Sequence, residues 1–303
     1  LERDILLIGQ QAMGVAREAR IAWLELAYAR RGASLAGDVT KQVKKLAAAA
    51  KQYRSFGLAD EAELAALEAA VARAGLETAE LAAREQVAKA RLARIMGLPA
   101  GQDFDIAGQT PDTSLPLPDT ATAVAYAEAN NLNVQAAQYA VQAAASGVAL
   151  EKIRWLKDFE IGVGYDLDIE SNRTVGPGAS VRLPIFDQNQ AQKAKAAYQA
   201  RQAARLVDEA KGLAREQAVR ALEDAGLARA TALGLETGVL PPSVRAAKWA
   251  ASYAGVMQLS ELTALEANLE LLRERLRHNQ AVLAEQEALV RLEYVLGGPI
   301  PRN

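Results

Sequence analysis

The sequence contains no cysteine and a single histidine, His278, among 303 residues. Without thiols there is no disulfide framework, no thiolate metal site and no cysteine nucleophile. His278 lies among Arg275, Arg277 and Asn279, with no Ser or Asp at a spacing that would make a relay, and reads as a surface residue. With His, Cys and Met all scarce, no tight metal site is expected, and no cofactor. Aromatic residues are only 5% of the chain, too few for an ordinary enzyme core. Neither sign of charge prevails: 35 Lys and Arg stand against 37 Asp and Glu, interspersed, which leaves no basic footprint for nucleic acid. The longest uncharged stretch, residues 129–150, carries Asn130, Asn131, Asn133, Gln135, Gln138 and Gln142, and so does not read as a transmembrane helix.

Half the chain is apolar, much of it alanine, the composition of long helices packed along small faces. The sequence repeats itself at an offset of 198 residues. Ala16, Arg17 and Glu18 return as Ala214, Arg215 and Glu216, Leu24 and Glu25 as Leu222 and Glu223, and Leu35 as Leu233. Residues 63–69 and 261–267 agree at six of seven positions. After a two-residue shift, Gly97, Leu98 and Pro99 answer Gly297, Gly298 and Pro299, a signal that ends a long helix in each copy. Each copy reads as a long helical hairpin. Leu1 already lies in a helical pattern without a start signal, so the chain reads as a piece whose beginning is missing.

In the second copy Ala196, Ala203 and Ala210 interleave with Ala200, Val207, Ala214, Ala221 and Ala228 in a seven-residue pattern of small side chains. The returning arm carries Leu262, Leu265, Leu269, Leu272, Leu276 and Leu283 on the same spacing. An ordinary packed bundle explains these stripes equally well. A helix over 190–236, however, would run about 70 Å, too long for a compact globule.

Between the copies the pattern changes twice. Residues 100–118 are rich in Gly, Asp, Thr and Pro and predict a linker of loop or short edge strands. A helix is expected over 119–157. The period then falls to two: Phe159, Ile161, Val163, Tyr165, Leu167 and Ile169 alternate with Glu160, Gly162, Gly164, Asp166 and Asp168. A second strand follows, with Val175, Ala179, Val181 and Leu183 on one face and Ser180 and Arg182 on the other, ended by Pro184. The domain division is therefore a first helical hairpin (1–99), a linker (100–118), an upper helix (119–157), a β-hairpin (158–184) and a second helical hairpin (185–303).

A two-stranded hairpin is marginal in water and needs a partner for its apolar face. It would either pack on the helices of a soluble α+β protein or cross a bilayer, for which each strand has about the 9–11 residues required. Its attachment to helices too long for a globule favours a barrel continuing into a helical tunnel. Two strands cannot close a barrel, and unpaired edges are not tolerated in lipid, so several chains must share one.

Residues 175–190, which enter an Ala/Lys/Gln-rich helix, are similar to the strand-to-helix passage of TolC-type outer-membrane factors. Residues 127–137 resemble the start of that family's second repeat, and residues 253–267 its tip-and-return segment. The fold class expected is mainly α, with long antiparallel coiled-coil hairpins in an internal repeat plus a membrane β-hairpin contributing to a shared trimeric barrel. The resemblance implies a homotrimer in outer-membrane lipid, extending into the periplasm and meeting a periplasmic adaptor and an inner-membrane transporter. The function it implies is a passive exit duct for efflux or type I secretion, not an enzyme. An adaptor-like protein and a soluble helical scaffold are the alternatives.

The family has two β-hairpins per protomer; by the repeat offset, the first would precede Leu1. Strand parity makes Glu160, Asp166, Asp168 and Arg182 the pore-lining candidates. The two hairpin turns make Asp60, Glu63, Tyr253, Gly255, Glu261 and Glu266 the candidates for the periplasmic tip and gate. Two extra residues in the second turn depart from the family pattern.

Overall fold

The computed structural model describes residues 2–56, 60–99, 101–107, 116–154, 159–167, 173–181, 189–254 and 261–301. The chain divides into two compact units, Leu1–Gln10 with Glu128–Arg215, and Gln11–Ala127 with Glu216–Asn303. This division differs from the segments read along the chain, because helices α1 (Glu2–Ser55) and α5 (Gln190–Gly234) each contribute residues to both units.

The first repeat is α1 followed by α2 (Glu61–Ile95). The second is α5, a π-helical turn over Leu235–Val239, α6 (Leu240–Tyr253) and α7 (Glu261–Leu296). The 36 residues of α7 correspond to about 54 Å of helix. Both repeats close with the same C-terminal geometry. Gly97 and Gly297 adopt left-handed φ values of 69° and 78°, where a side chain would be strained. The N–H of Gly97 donates to the Arg94 carbonyl and that of Leu98 to Ala93; Gly297 and Gly298 donate likewise to Tyr294 and Glu293. This is a Schellman ending in duplicate.

The π turn has a local cause. Pro241 and Pro242 have no N–H to donate and their rings crowd the preceding turn, so the helix widens just before them. The Leu240 N–H reaches back five residues to the Leu235 carbonyl.

The helix expected over 119–157 is two helices, α3 (Thr120–Asn130) and α4 (Leu132–Ile153). Asn131 breaks them. Its backbone is extended, with ψ of 122°, and its side chain caps α4 by accepting the Asn133 N–H. Of the linker, residues 101–107 and 116–119 are described and form neither helix nor strand.

In the first unit, β1 (Phe159–Leu167) pairs antiparallel with β2 (Arg173–Val181) in a two-stranded sheet. The return from sheet to helix passes through Asn189, at a positive φ of 58° that asparagine tolerates. Its amide donates to the Glu151 carboxylate at 2.6 Å, tying the start of α5 to the end of α4.

In the second unit, apolar clusters line the helices. Ala123, Ala127, Ala218, Ala225, Leu222, Leu292 and Leu296 form one, and Val39, Val43, Leu46, Ala74 and Leu269 another. Along α5, which contributes to both units, the alanine stripe is the more buried face: Ala196 and Ala214 of the first unit and Ala218 of the second are buried, and Ala203 and Ala210 of the first half-buried. Leu206 and Leu213 of the same helix flank the stripe, about a quarter turn from it, and are about half exposed. Among the described residues no helix is long and apolar enough to cross a membrane.

Candidate functional site

The register of the β-hairpin assigns its faces. Glu160 pairs with Ser180, Gly162 with Gly178, Gly164 with Gly176 and Asp166 with Thr174. Residues directly opposite share a face, so these eight form one that is polar and half glycine. A Cβ added at Gly162 or Gly176 would meet nothing within 4 Å, so no local packing demands glycine there. The alternate pairs, Phe159 with Val181, Ile161 with Ala179, Val163 with Pro177 and Tyr165 with Val175, make the apolar face. Leu167 pairs with Arg173 at the end of the ladder. The pairing brings Glu160 and Asp166 to one face. Asp168 and Arg182 lie outside the described residues.

The two hairpin turns carry the second group of candidates. In the first, Asp60 is exposed and stands at the N-cap of α2 without a side-chain capping bond. Arg54 forms an ion pair with Glu61 across the turn, joining the arms. Glu63 lies in the first turn of α2, and its side chain is outside the described residues. In the second, Tyr253 ends α6 with its ring 4.8 Å from that of Trp249, and both are exposed. Gly255 lies outside the described residues. Glu261 opens α7 and Glu266 follows within two turns, both exposed. Acids in a first turn complement the positive end of a helix, so Glu261 has a local reason to be acidic apart from any gate.

Three arrangements in the second unit had no signal in the sequence. The linker residues 101–107 are pinned to the first repeat. Arg30 donates to Asp105 at 2.6 Å and to Glu85 at 3.1 Å, and Lys89 pairs with Asp103. Phe104 and Ile106 pack against Ala22, Leu26, Ala88 and Leu92. The guanidinium of Arg30 holds the Asp105 carboxyl below its ordinary range, and Lys89 does the same for Asp103. Beside this segment lies an apolar cavity of about 510 Å³, lined by Trp23, Leu24, Leu92, Met96, Phe104 and Ile106 among others. The third arrangement is a set of buried polar residues on α7: Glu274, Asn279, Glu285 and Gln286. Glu285 is met by Arg229 at 2.9 Å. Burial raises the carboxyl of Glu287 above its ordinary range, with Arg291 working against the shift.

Among the described residues no cluster of three His, Cys, Asp or Glu could hold a metal ion.

No family model and no curated protein sequence matches the chain. Solved structures do. A membrane protein from Pseudomonas aeruginosa superposes with a TM-score of 0.72 at 17% identity, over 97% of this chain and 71% of that one. The outer-membrane channel OprN gives 0.73 at 20% identity, over 98% and 68%. The open state of the MtrE outer membrane channel of Neisseria gonorrhoeae gives 0.71 at 17% identity, over 99% and 70%. The chain thus has the fold of the outer-membrane channel proteins.

Proposed function

We propose that this chain is one protomer of a passive exit duct, an outer-membrane channel with a helical tunnel, that exports substrates delivered by an inner-membrane pump in efflux or type I secretion. The observation that carries this reading is the antiparallel β1–β2 ladder, with one apolar and one polar face, in a chain with an outer-membrane channel fold. In water a lone hairpin has no reason to keep an apolar face of Phe159, Ile161, Val163 and Tyr165; against lipid it does. Because two strands leave open edges, copies of the chain share one barrel as a homotrimer. On this reading Glu160, Asp166, Asp168 and Arg182 face the lumen. The turns with Asp60, Glu63, Tyr253, Gly255, Glu261 and Glu266 form the periplasmic end, where a gate and a periplasmic adaptor meet. The protein acts as a conduit and carries out no bond chemistry.

Fractionation of the full-length protein tests the reading. It is expected in the outer membrane and, once purified, to form ion-conducting pores in planar bilayers. Recovery in the soluble fraction with no conductance would favour an adaptor-like protein or a helical scaffold instead. Charge reversal, Glu261→Lys, is expected to change export while leaving membrane insertion intact; loss of insertion would assign Glu261 to folding.

A further inference from the structure

The seam between α1 and α7 is mostly apolar, yet two amides are buried in it. Asn279, 5% exposed, donates from Nδ2 to the Tyr28 carbonyl on α1 at 3.0 Å. Gln42, 6% exposed, donates from Nε2 to the Leu265 carbonyl on α7 at 2.9 Å. The bonds are reciprocal: each helix gives one side-chain donor and one main-chain acceptor. They also share one register. From 28 to 42 on α1 and from 265 to 279 on α7 is fourteen residues, two heptads on each antiparallel helix. Gly32 lies beside the upper bond; a Cβ there would stand 3.4 Å from Asn279 Nδ2, at the edge of ordinary contact.

The apolar part of the seam cannot hold this register alone. Leu262, Leu265, Leu269, Leu272 and Leu276 recur every three or four residues, and Val39, Val43 and Leu46 receive the lower ones, so α7 shifted by one turn meets nearly equivalent partners. The amides have no such equivalent. Any axial slide of α7 breaks both bonds together and strands two buried donors. Asn279 Oδ1 already has no hydrogen-bond partner among the described residues, so this bond is less fully satisfied than a buried amide ordinarily is.

We propose that Asn279 and Gln42 are an axial latch: they hold α7 at one register on α1, and releasing them lets α7 slide by about one helical turn. Through α7 the latch sets the height of Glu261 and Glu266 at the second hairpin turn. The latch itself rests only on the seam; its consequence for conduction rests on the exit-duct reading.

The test uses spin labels, which the absence of native cysteine makes clean. Lys44→Cys on α1 and Gln280→Cys on α7, both at exposed positions, lie well apart along the seam, so their separation reports sliding. Full-length labelled protein is diluted with unlabelled chain so that only pairs within one protomer are read. The parent is expected to give one narrow distance. Gln42→Leu with Asn279→Leu is expected to give a second population displaced by about 5.4 Å, while either single substitution keeps one. A single unchanged distance in the double variant overturns the latch, whatever the conductance. If the leucine pair fails to assemble, Gln42→Met with Asn279→Ala is measured by the same criterion. Bilayer conductance is recorded in parallel. A second distance with altered conductance supports both latch and duct reading; a second distance in a protein that never conducts keeps the latch and removes the duct.

Discussion

Asn131 interrupts what composition presents as one continuous helix. Its side chain does for α4 what a regular turn would have done, accepting the Asn133 N–H at 3.0 Å. Alanine there leaves that donor unmet, and Asn131→Ala is expected to cost about 1 kcal/mol of stability, read from the urea midpoint at unchanged slope. A second residue-level prediction concerns Asp105. Its carboxyl is lowered by Arg30 and by the Ile106 N–H, so its contribution is present above the ordinary aspartate pKa of 3.8 and is lost as pH falls through the lower folded value. Asp103, lowered by Lys89, has the same sign; Glu287, raised by burial, has the opposite one. Acidification below about pH 4 should therefore release residues 101–107 before the helices melt. Trp23, which shares a cavity lining with Phe104 and Ile106, reports it: in a Trp155→Phe, Trp249→Phe background its emission should shift to the red. Asp105→Asn should show the shift already at neutral pH. Parent fluorescence that stays flat down to helix melting would remove the pinning role.

At the scale of elements, the β-hairpin carries the functional prediction. With Glu160 and Asp166 on one face, and Asp168 next in parity, a threefold lumen would hold three acids from each copy against one Arg182. Such a lumen concentrates cations within a Debye length, about 8 Å at physiological salt. Reversal potentials under a salt gradient should favour cations, and Asp166→Asn with Asp168→Asn should weaken the preference most at low ionic strength. Anion preference in the parent would mean that the strand facing is inverted. The elements were legible where the signal is local. Gly97 with Pro99 and Gly297 with Pro299 marked both helix ends, and alternation from Phe159 to Leu167 marked a strand. The break at Asn131 was hidden because Asn130, Asn131 and Asn133 stand together in an alanine-rich run, and their spelling does not say which of them caps a helix. Gln42 and Asn279 were hidden for a different reason: a buried amide is spelled like a surface one, and its partner is a carbonyl more than 200 residues away, at separations of 223 and 251. The pairs Arg30 with Asp105 and Lys89 with Asp103 bridge 75 and 14 residues and likewise leave no periodic trace.

The whole molecule raises the question of which surfaces are left for other copies. The alanine stripe of α5 is spent largely within the chain, with Ala214 at 3% exposure. Leu213, one residue away, is 52% exposed, and Leu206, one heptad before it, 49%. Assembly is expected to depend on these leucines. Leu206→Lys with Leu213→Lys should reduce trimer yield in crosslinking with little change in the helicity of the protomer, whereas Ala203→Leu should overpack the protomer itself at a cost of about 1–3 kcal/mol. Equal trimer yield from the lysine pair would send the intermolecular contact elsewhere.

The duplication has a further consequence. If three copies close a ring, they present six helical hairpins, three of each repeat, all with the same Schellman ending. The ring then approximates sixfold symmetry and departs from it only where the two repeats differ. Among the described residues those places include the π turn at Leu235–Val239, which α1 lacks, the Trp249 and Tyr253 ring pair, a second turn two residues longer than the first, and the segment 101–107 pinned to the first repeat. Anything that must tell alternate hairpins apart, whether a docking partner with threefold spacing or a motion confined to three of the six, has these landmarks to read. The π turn, the ring pair and the longer turn all lie between α5 and α7, so along the arms and turns of the hairpins the second repeat carries the difference.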